Sequence, residues 1–136
     1  MKTIEHIRIF IDPFVDWASA QPDILAVALV GSYARGAATK ESDIDLTLLT
    51  EQPQKYFQNT DWSERFGTVE KYQTEDYGKL ISLRVWYRDG YEVEYGFTTP
   101  DWIATPLDSG TQDVIANGMI VLFERTALLS LHTSKG

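Results

Sequence analysis

Ile4, Ile7, Ile11, Phe14 and Ala18 recur at helical spacing near the start of the chain. Pro13 interrupts this stripe, and Asp12-Pro13 suits an N-cap followed by proline at the first helical position, so the pattern predicts two short helices, ended by Pro22. The run Ile24-Leu-Ala-Val-Ala-Leu-Val30 has the length and branching of a strand buried on both faces, and Gly31 punctuates it. The Ala-rich stretch from Ser32 to about Lys40 predicts a short helix. From Asp43 to Leu49 the pattern alternates, with Asp43, Asp45 and Thr47 on one face and Ile44, Leu46 and Leu48 on the other. That is a strand with a polar working face.

Periodicity weakens between Gln52 and Asp76, where short helices are expected near Pro53 to Phe57 and Trp62 to Phe66, followed by a strand. Leu80 to Arg88 and Tyr91 to Thr98 are β-branched or aromatic runs flanking Asp89-Gly90, which predicts a hairpin with a two-residue turn. Pro100 to Ala104 reads as one helical turn. Ser109-Gly-Thr-Gln112 resembles a capping box for a helix ending near Asn117-Gly118, and Met119 to Phe123 reads as a last strand before a helical tail. No repeat, low-complexity tract or Ser/Gly/Pro-rich linker divides the 136 residues, so a single domain over residues 1–136 is expected. The order of elements indicates an α/β (α+β) fold, a mixed β-sheet flanked by helices.

Composition narrows the chemistry. Cysteine is absent and the only histidines are His6 and His132, so neither a disulfide framework nor a Cys- or His-rich zinc site can be assembled. Any metal must be held by oxygen ligands. The longest apolar run, Ile24 to Val30, is far short of the roughly 20 residues of a membrane span. The first ten residues lack the apolar core of a signal peptide, so a cytoplasmic protein with no membrane partner is expected. A net charge of −8 repels polyanions and disfavours nucleic acid as a partner, while leaving room for a metal-neutralised nucleotide.

Three features carry chemistry together: Gly31-Ser32 after the buried strand, Asp43-Ile-Asp45 on the next strand, and Glu92-Val-Glu94 on a later one. A parallel crossover takes a dozen or more residues, and only ten separate Ser32 from Asp43, so the second strand is expected to turn back beside the first. Asp43 then stays near Gly31. Two residues apart on one pleat face, Asp43 and Asp45 are separated by roughly 6.6–6.8 Å along the strand. Mutual repulsion raises at least one of their pKa values in the absence of a cation, and a hard divalent ion relieves that cost. Oxygen-only ligation selects magnesium or manganese, and magnesium commonly combines one or two carboxylates with phosphate oxygens and water. Gly31 lets backbone amides approach a phosphate, and Ser32 offers a hydroxyl at the start of the following helix.

Gly31-Ser-Tyr-Ala-Arg-Gly36 followed by Ser42-Asp-Ile-Asp-Leu46 resembles the signature of the DNA polymerase beta-like nucleotidyltransferase superfamily, in its small stand-alone bacterial branch. The resemblance covers residues 24–49 directly, and Tyr91 to Phe97 matches the family's later strand bearing a third acidic residue. It implies that Gly31 and Ser32 hold the phosphates of a nucleoside triphosphate and that Asp43 and Asp45 bind two magnesium ions. The third carboxylate completes the catalytic metal site and helps deprotonate the acceptor hydroxyl; it is assigned to Glu94, with Glu92 as the alternative on the same strand face. Glu in place of the Asp of many members is a departure from the family pattern. The implied reaction is in-line attack of a hydroxyl on the α-phosphorus, releasing pyrophosphate, with two cations about 3.5–4 Å apart stabilising the attacking and leaving oxygens.

Arg35 stands where it can contact the triphosphate, with a solvated helix cation as the competing reading. Arg84 and Arg88, on a strand face with Ser82 and Trp86, read as surface residues offsetting nearby acids. Tyr33, Tyr91, Tyr95 and the four tryptophans read as packing residues, and neither histidine is given a role. The function implied is transfer of a nucleoside monophosphate, AMP from ATP most simply, to a hydroxyl of a small-molecule acceptor such as an aminoglycoside-like or lincosamide-like antibiotic. The motif strands leave few residues for an acceptor site, so residues 52–76 or the second subunit of a homodimer would complete it. The alternative is an antitoxin-like nucleotidyltransferase that modifies or binds a helical partner toxin.

Overall fold

A computed structural model describes residues 4–39, 42–78, 80–103, 112, 115–116 and 118–125. Its strands are β1 (Ile24–Val30), β2 (Ile44–Thr50), β3 (Val69–Asp76), β4 (Leu80–Tyr87), β5 (Glu92–Thr98) and β6 (Met119–Glu124). They form one six-stranded sheet in the order β3-β4-β5-β2-β1-β6. β1 and β2 pair antiparallel, as their short connection requires. β2 and β5 pair parallel, and the remaining neighbours are antiparallel, so the sheet is mixed. Among the described residues, no helix is long and apolar enough to cross a membrane.

One face of the sheet is covered by α1 (Arg8–Ser19), entered through a 3-10 turn at Ile4–Ile7. The two helices expected around Pro13 are therefore one, and the break lies at Ile7, where 3-10 gives way to α geometry. Pro13 removes the amide that would bond the Ile9 carbonyl, a cost of about 3 kcal/mol. Burial of Phe10, Ile11 and Phe14 against the sheet, each worth about 1.5–3 kcal/mol, outweighs it, and the proline ring faces solvent. The residues between β2 and β3 cover the same face through α3 (Lys55–Gln58) and a 3-10 helix at Asp61–Phe66. Tyr56 stacks on Phe97 at 4.9 Å between ring centroids, and Trp62 meets Tyr95 edge-on at 4.8 Å. The Tyr95 and Tyr87 hydroxyls bond each other at 2.8 Å beneath them.

α2 (Ser32–Arg35) is a single turn, shorter than the helix expected to reach Lys40. Gly36, at φ +72°, ends it by taking the left-handed conformation common after a helix. The β4–β5 loop also differs from expectation. Gly90 N–H donates to Tyr87 O and Tyr87 N–H to Tyr91 O, which leaves Arg88, Asp89 and Gly90 as a three-residue connection. Only Gly90 has positive φ, at +103°, as in a type I turn closed by a left-handed glycine. The turn after β5 is 3-10 at Pro100–Ile103. The capping box and the helical tail after β6 lie outside the described residues, apart from isolated positions.

At the start of β1 the buried Asp23 carboxylate accepts bonds from Thr50 Oγ1, Tyr56 Oη and Lys55 Nζ, each at 2.7 Å. Burial alone would raise its pKa, but these bonds and the Lys55 charge hold it below the usual carboxylate value. This clamp joins β1, β2 and α3 at the end of β1 opposite Gly31.

Candidate active site

The second face of the sheet is built from the other half of each alternating pattern. β1 and β2 put Ala26, Ala28 and Leu49 into a small apolar cluster there. Further along β2 the same face carries Asp45, and Asp43 sits just before the strand begins. Parallel pairing sets Asp45 directly beside Glu94 on β5, and antiparallel pairing sets Glu94 beside Arg84 on β4. Gln73 of β3 is next across from Arg84. Residues opposite one another on adjacent strands share a face, so register alone gathers these side chains.

Asp43, Asp45 and Glu94 each offer a carboxylate oxygen within 4.8 Å of the others. Glu92 lies outside this group and accepts a bond from Arg84. Burial, then the charges of Asp43 and Glu94, push the Asp45 pKa up to about 8. Asp45 Oδ1 is buried without a hydrogen-bond partner. An acceptor-only oxygen left unpaired beside two further carboxylates is a fit for a hard cation, and the donor set matches magnesium or manganese.

Arg84 is the residue that sequence reasoning misjudged. It is not a surface residue: its side chain is only 19% exposed, at the centre of the acidic group. Nη1 donates to Asp43 Oδ2 at 2.8 Å and to Glu92 Oε2 at 2.7 Å, and Nη2 to Glu94 Oε1 at 3.1 Å and Glu75 Oε1 at 3.4 Å. Four carboxylates contact one guanidinium, and the buried Asp45 stands beside them, neutral at pH 7 because its pKa is raised to about 8. The acids here outnumber the single guanidinium, an excess of negative charge that attracts further cations. The only local hint was position, since Arg84 shares the face of Ser82, and Ser82 Oγ donates to Glu94 Oε2 at 2.8 Å. Arg88, by contrast, is an exposed strand-end cation 3.4 Å from Glu70, as expected.

Gly31 closes the site from the β1 side. Its φ of +77° is a conformation that side chains rarely adopt, and a Cβ there would collide with the Asp45 carboxylate. The glycine is therefore required by Asp45 as well as by the turn, a reason that spacing alone did not reveal. Gly31→Ala is expected to destabilise the fold by about 1–3 kcal/mol and to displace Asp45. Thermal melts with and without manganese would show a lowered midpoint and a reduced metal-induced rise; an unchanged rise would show that Asp45 tolerates the methyl group. Ser32 follows at the first position of α2, partly exposed. One helical turn carries little macrodipole, so anion affinity here must come from individual amides and the hydroxyl. Arg35 ends α2 and is exposed, with its stem against Gly118 rather than against the carboxylates. Tyr33 and Tyr95 are buried packing residues, as expected.

The mixed sheet thus brings Asp43, Asp45 and Glu94 together beside a Gly-Ser turn, a donor set that a divalent cation could use. The chain belongs to the nucleotidyltransferase domain family, whose model matches residues 15–96. Its fold is similar to that of an aminoglycoside 6-adenyltransferase from Bacillus subtilis, with a TM-score of 0.62, 19% identity, and coverage of 87% of this chain and 40% of that one. It is also similar to the Cid1 poly(U) polymerase, with a TM-score of 0.50, 16% identity, and coverage of 69% of this chain and 30% of that one. The chain thus spans less than half the length of either structure. No curated protein matches the sequence.

Proposed function

We propose that this chain transfers a nucleoside monophosphate, AMP from ATP, to a hydroxyl of a small-molecule acceptor. The observation that carries the reading is that Asp43, Asp45 and Glu94 bring carboxylate oxygens within 4.8 Å of one another, with Asp45 Oδ1 buried and unpartnered. Asp43 and Asp45 would hold the divalent cations, and Glu94 would complete the set. Bound magnesium supplies Lewis-acid stabilisation of the charge that develops on the attacking and leaving oxygens. The chain's own groups do the rest. Gly31 and Ser32 hold the phosphates with backbone amides and a hydroxyl, and Arg35 would have to swing from its packing against Gly118 to contact the triphosphate. Glu94 accepts the proton as the acceptor oxygen attacks the α-phosphorus. The new oxygen–phosphorus bond forms as the bridge to the β-phosphate breaks, and pyrophosphate departs.

A small-molecule acceptor is supported by the likeness in fold to an aminoglycoside adenyltransferase, and by the net charge of −8, which disfavours a nucleic-acid primer. The test is pyrophosphate release from each of four nucleoside triphosphates with magnesium, against a panel of aminoglycosides, lincosamides and short RNA. Transfer to a small molecule is expected, reduced at least 100-fold in Glu94→Gln and much less in Glu92→Gln. Transfer to RNA alone would overturn the choice of acceptor, and equal losses in the two variants would overturn the assignment of Glu94.

A further inference from the structure

The turn between β3 and β4 brings an exposed hydroxyl onto the carboxylate that receives the acceptor's proton. Tyr77 N–H donates to Leu80 O at 2.8 Å, and Gly78 N–H donates to Asp76 Oδ1 at 2.8 Å, so the turn is bonded to itself on both sides of the phenol. The Tyr77 hydroxyl lies 2.9 Å from Glu75 Oε1 and 3.1 Å from Glu94 Oε2. A phenol has one proton to donate, so it serves one carboxylate at a time. Tyr77 is 58% exposed, whereas Ser82, the other hydroxyl on Glu94 Oε2, is fully buried and closed to a substrate phosphate. Tyr33, Tyr56, Tyr87 and Tyr95 are buried as well. Tyr77 therefore combines access from solvent with contact to Glu94.

We propose that Tyr77 is itself an acceptor, and that the chain attaches a nucleoside monophosphate to its own Tyr77 hydroxyl. The inference rests on the transferase reading above. The phenol oxygen attacks the α-phosphorus of a bound nucleoside triphosphate, and the tyrosyl oxygen–phosphorus bond forms as the bond to the bridging oxygen of the β-phosphate breaks. Pyrophosphate leaves with that electron pair, and the phenol proton passes to Glu94 and then to water. Nothing is oxidised or reduced. The hydroxyl is already within hydrogen-bond distance of its base, which is the geometry proximity catalysis requires.

The experiment is intact-mass measurement and peptide mapping after incubation with magnesium and each triphosphate, with calorimetry of triphosphate binding on the same preparation. Wild type is expected to gain one nucleoside monophosphate, mapped to Tyr77, and Tyr77→Phe and Glu94→Gln to gain none. Mixed with wild type, an Asp45→Asn chain that retains Tyr77 is expected to stay unmodified, because the hydroxyl belongs to its own site. A readout that needs no turnover is the fluorine resonance of 3-fluorotyrosine placed at residue 77, expected to shift when magnesium and a non-hydrolysable triphosphate bind. An unmodified wild type that nevertheless binds the magnesium triphosphate overturns this inference and leaves the transferase reading standing. The same holds for an adduct that persists in Tyr77→Phe. Absence of both binding and adduct overturns the two together.

Discussion

Asp45→Asn is expected to raise the melting temperature of the metal-free protein at pH 9 while abolishing metal-dependent transfer. The Asp45 pKa stands at about 8 in the folded chain, against an ordinary value of 3.8, because burial and the charges of Asp43 and Glu94 disfavour its ionised form. Between those two values the native state binds more protons than the unfolded state, so stability falls as pH rises. The contribution of the neutral group is fully present below pH ~4 and is lost as pH rises through about 8. Asparagine keeps the shape, stays neutral throughout, and its amide can donate to Asp43 or Glu94. The variant should match wild type near pH 4 and exceed it at pH 9 by a few kcal/mol, or roughly 5–15 °C. Melts across pH 4–9 in chelator measure this directly. A difference that does not grow with pH would show that Asp45 is ionised without cost.

The second large effect is expected at Arg84. Arg84→Met removes the one guanidinium among Asp43, Glu75, Glu92 and Glu94. Breaking a fully buried pair costs about 3–5 kcal/mol, and partial solvent access to this cluster reduces that to about 1–3 kcal/mol in the metal-free protein. Divalent cations move in the opposite direction. With its internal competitor gone and the field more negative, the site is expected to bind manganese roughly tenfold more tightly, as a charge removed at about 4 Å is worth 1–4 kcal/mol. Manganese titration followed by electron paramagnetic resonance, with parallel melts, tests both halves. A lowered midpoint together with weaker manganese binding would make Arg84 a support for the ligands rather than their competitor.

Some of this architecture was legible in the residues and some was not, and the division follows the range of the interactions. The buried run Ile24–Val30 appears with the expected limits, because a strand covered on both faces leaves a continuous apolar record. Asp43 and Asp45 come together as the alternation implied, because the pleat is a local property. Glu94 was preferred to Glu92 on family resemblance alone, since what sets it beside Asp45 is the parallel register of β2 with β5, across more than forty residues, and no local pattern encodes that pairing. Arg84 was invisible for the same reason. Its partners come from β3, β5 and the residue before β2, and a lone arginine on an alternating strand otherwise reads as solvated. Pro13 shows the reverse error, in which a strong local signal lost to tertiary burial of Phe10, Ile11 and Phe14. At Asp89-Gly90 the hairpin was right and the loop one residue too short, because Gly90 alone supplies the positive φ.

Under the proposed function, Asp43, Asp45 and Glu94 form a cation-dependent nucleoside triphosphate site. Calorimetric titration of non-hydrolysable analogues of all four triphosphates, with and without magnesium, on wild type and Asp45→Asn, is the decisive measurement. Binding that requires magnesium in wild type and disappears in Asp45→Asn is the predicted result. Binding that is indifferent to magnesium, or equal in the two proteins, would contradict it.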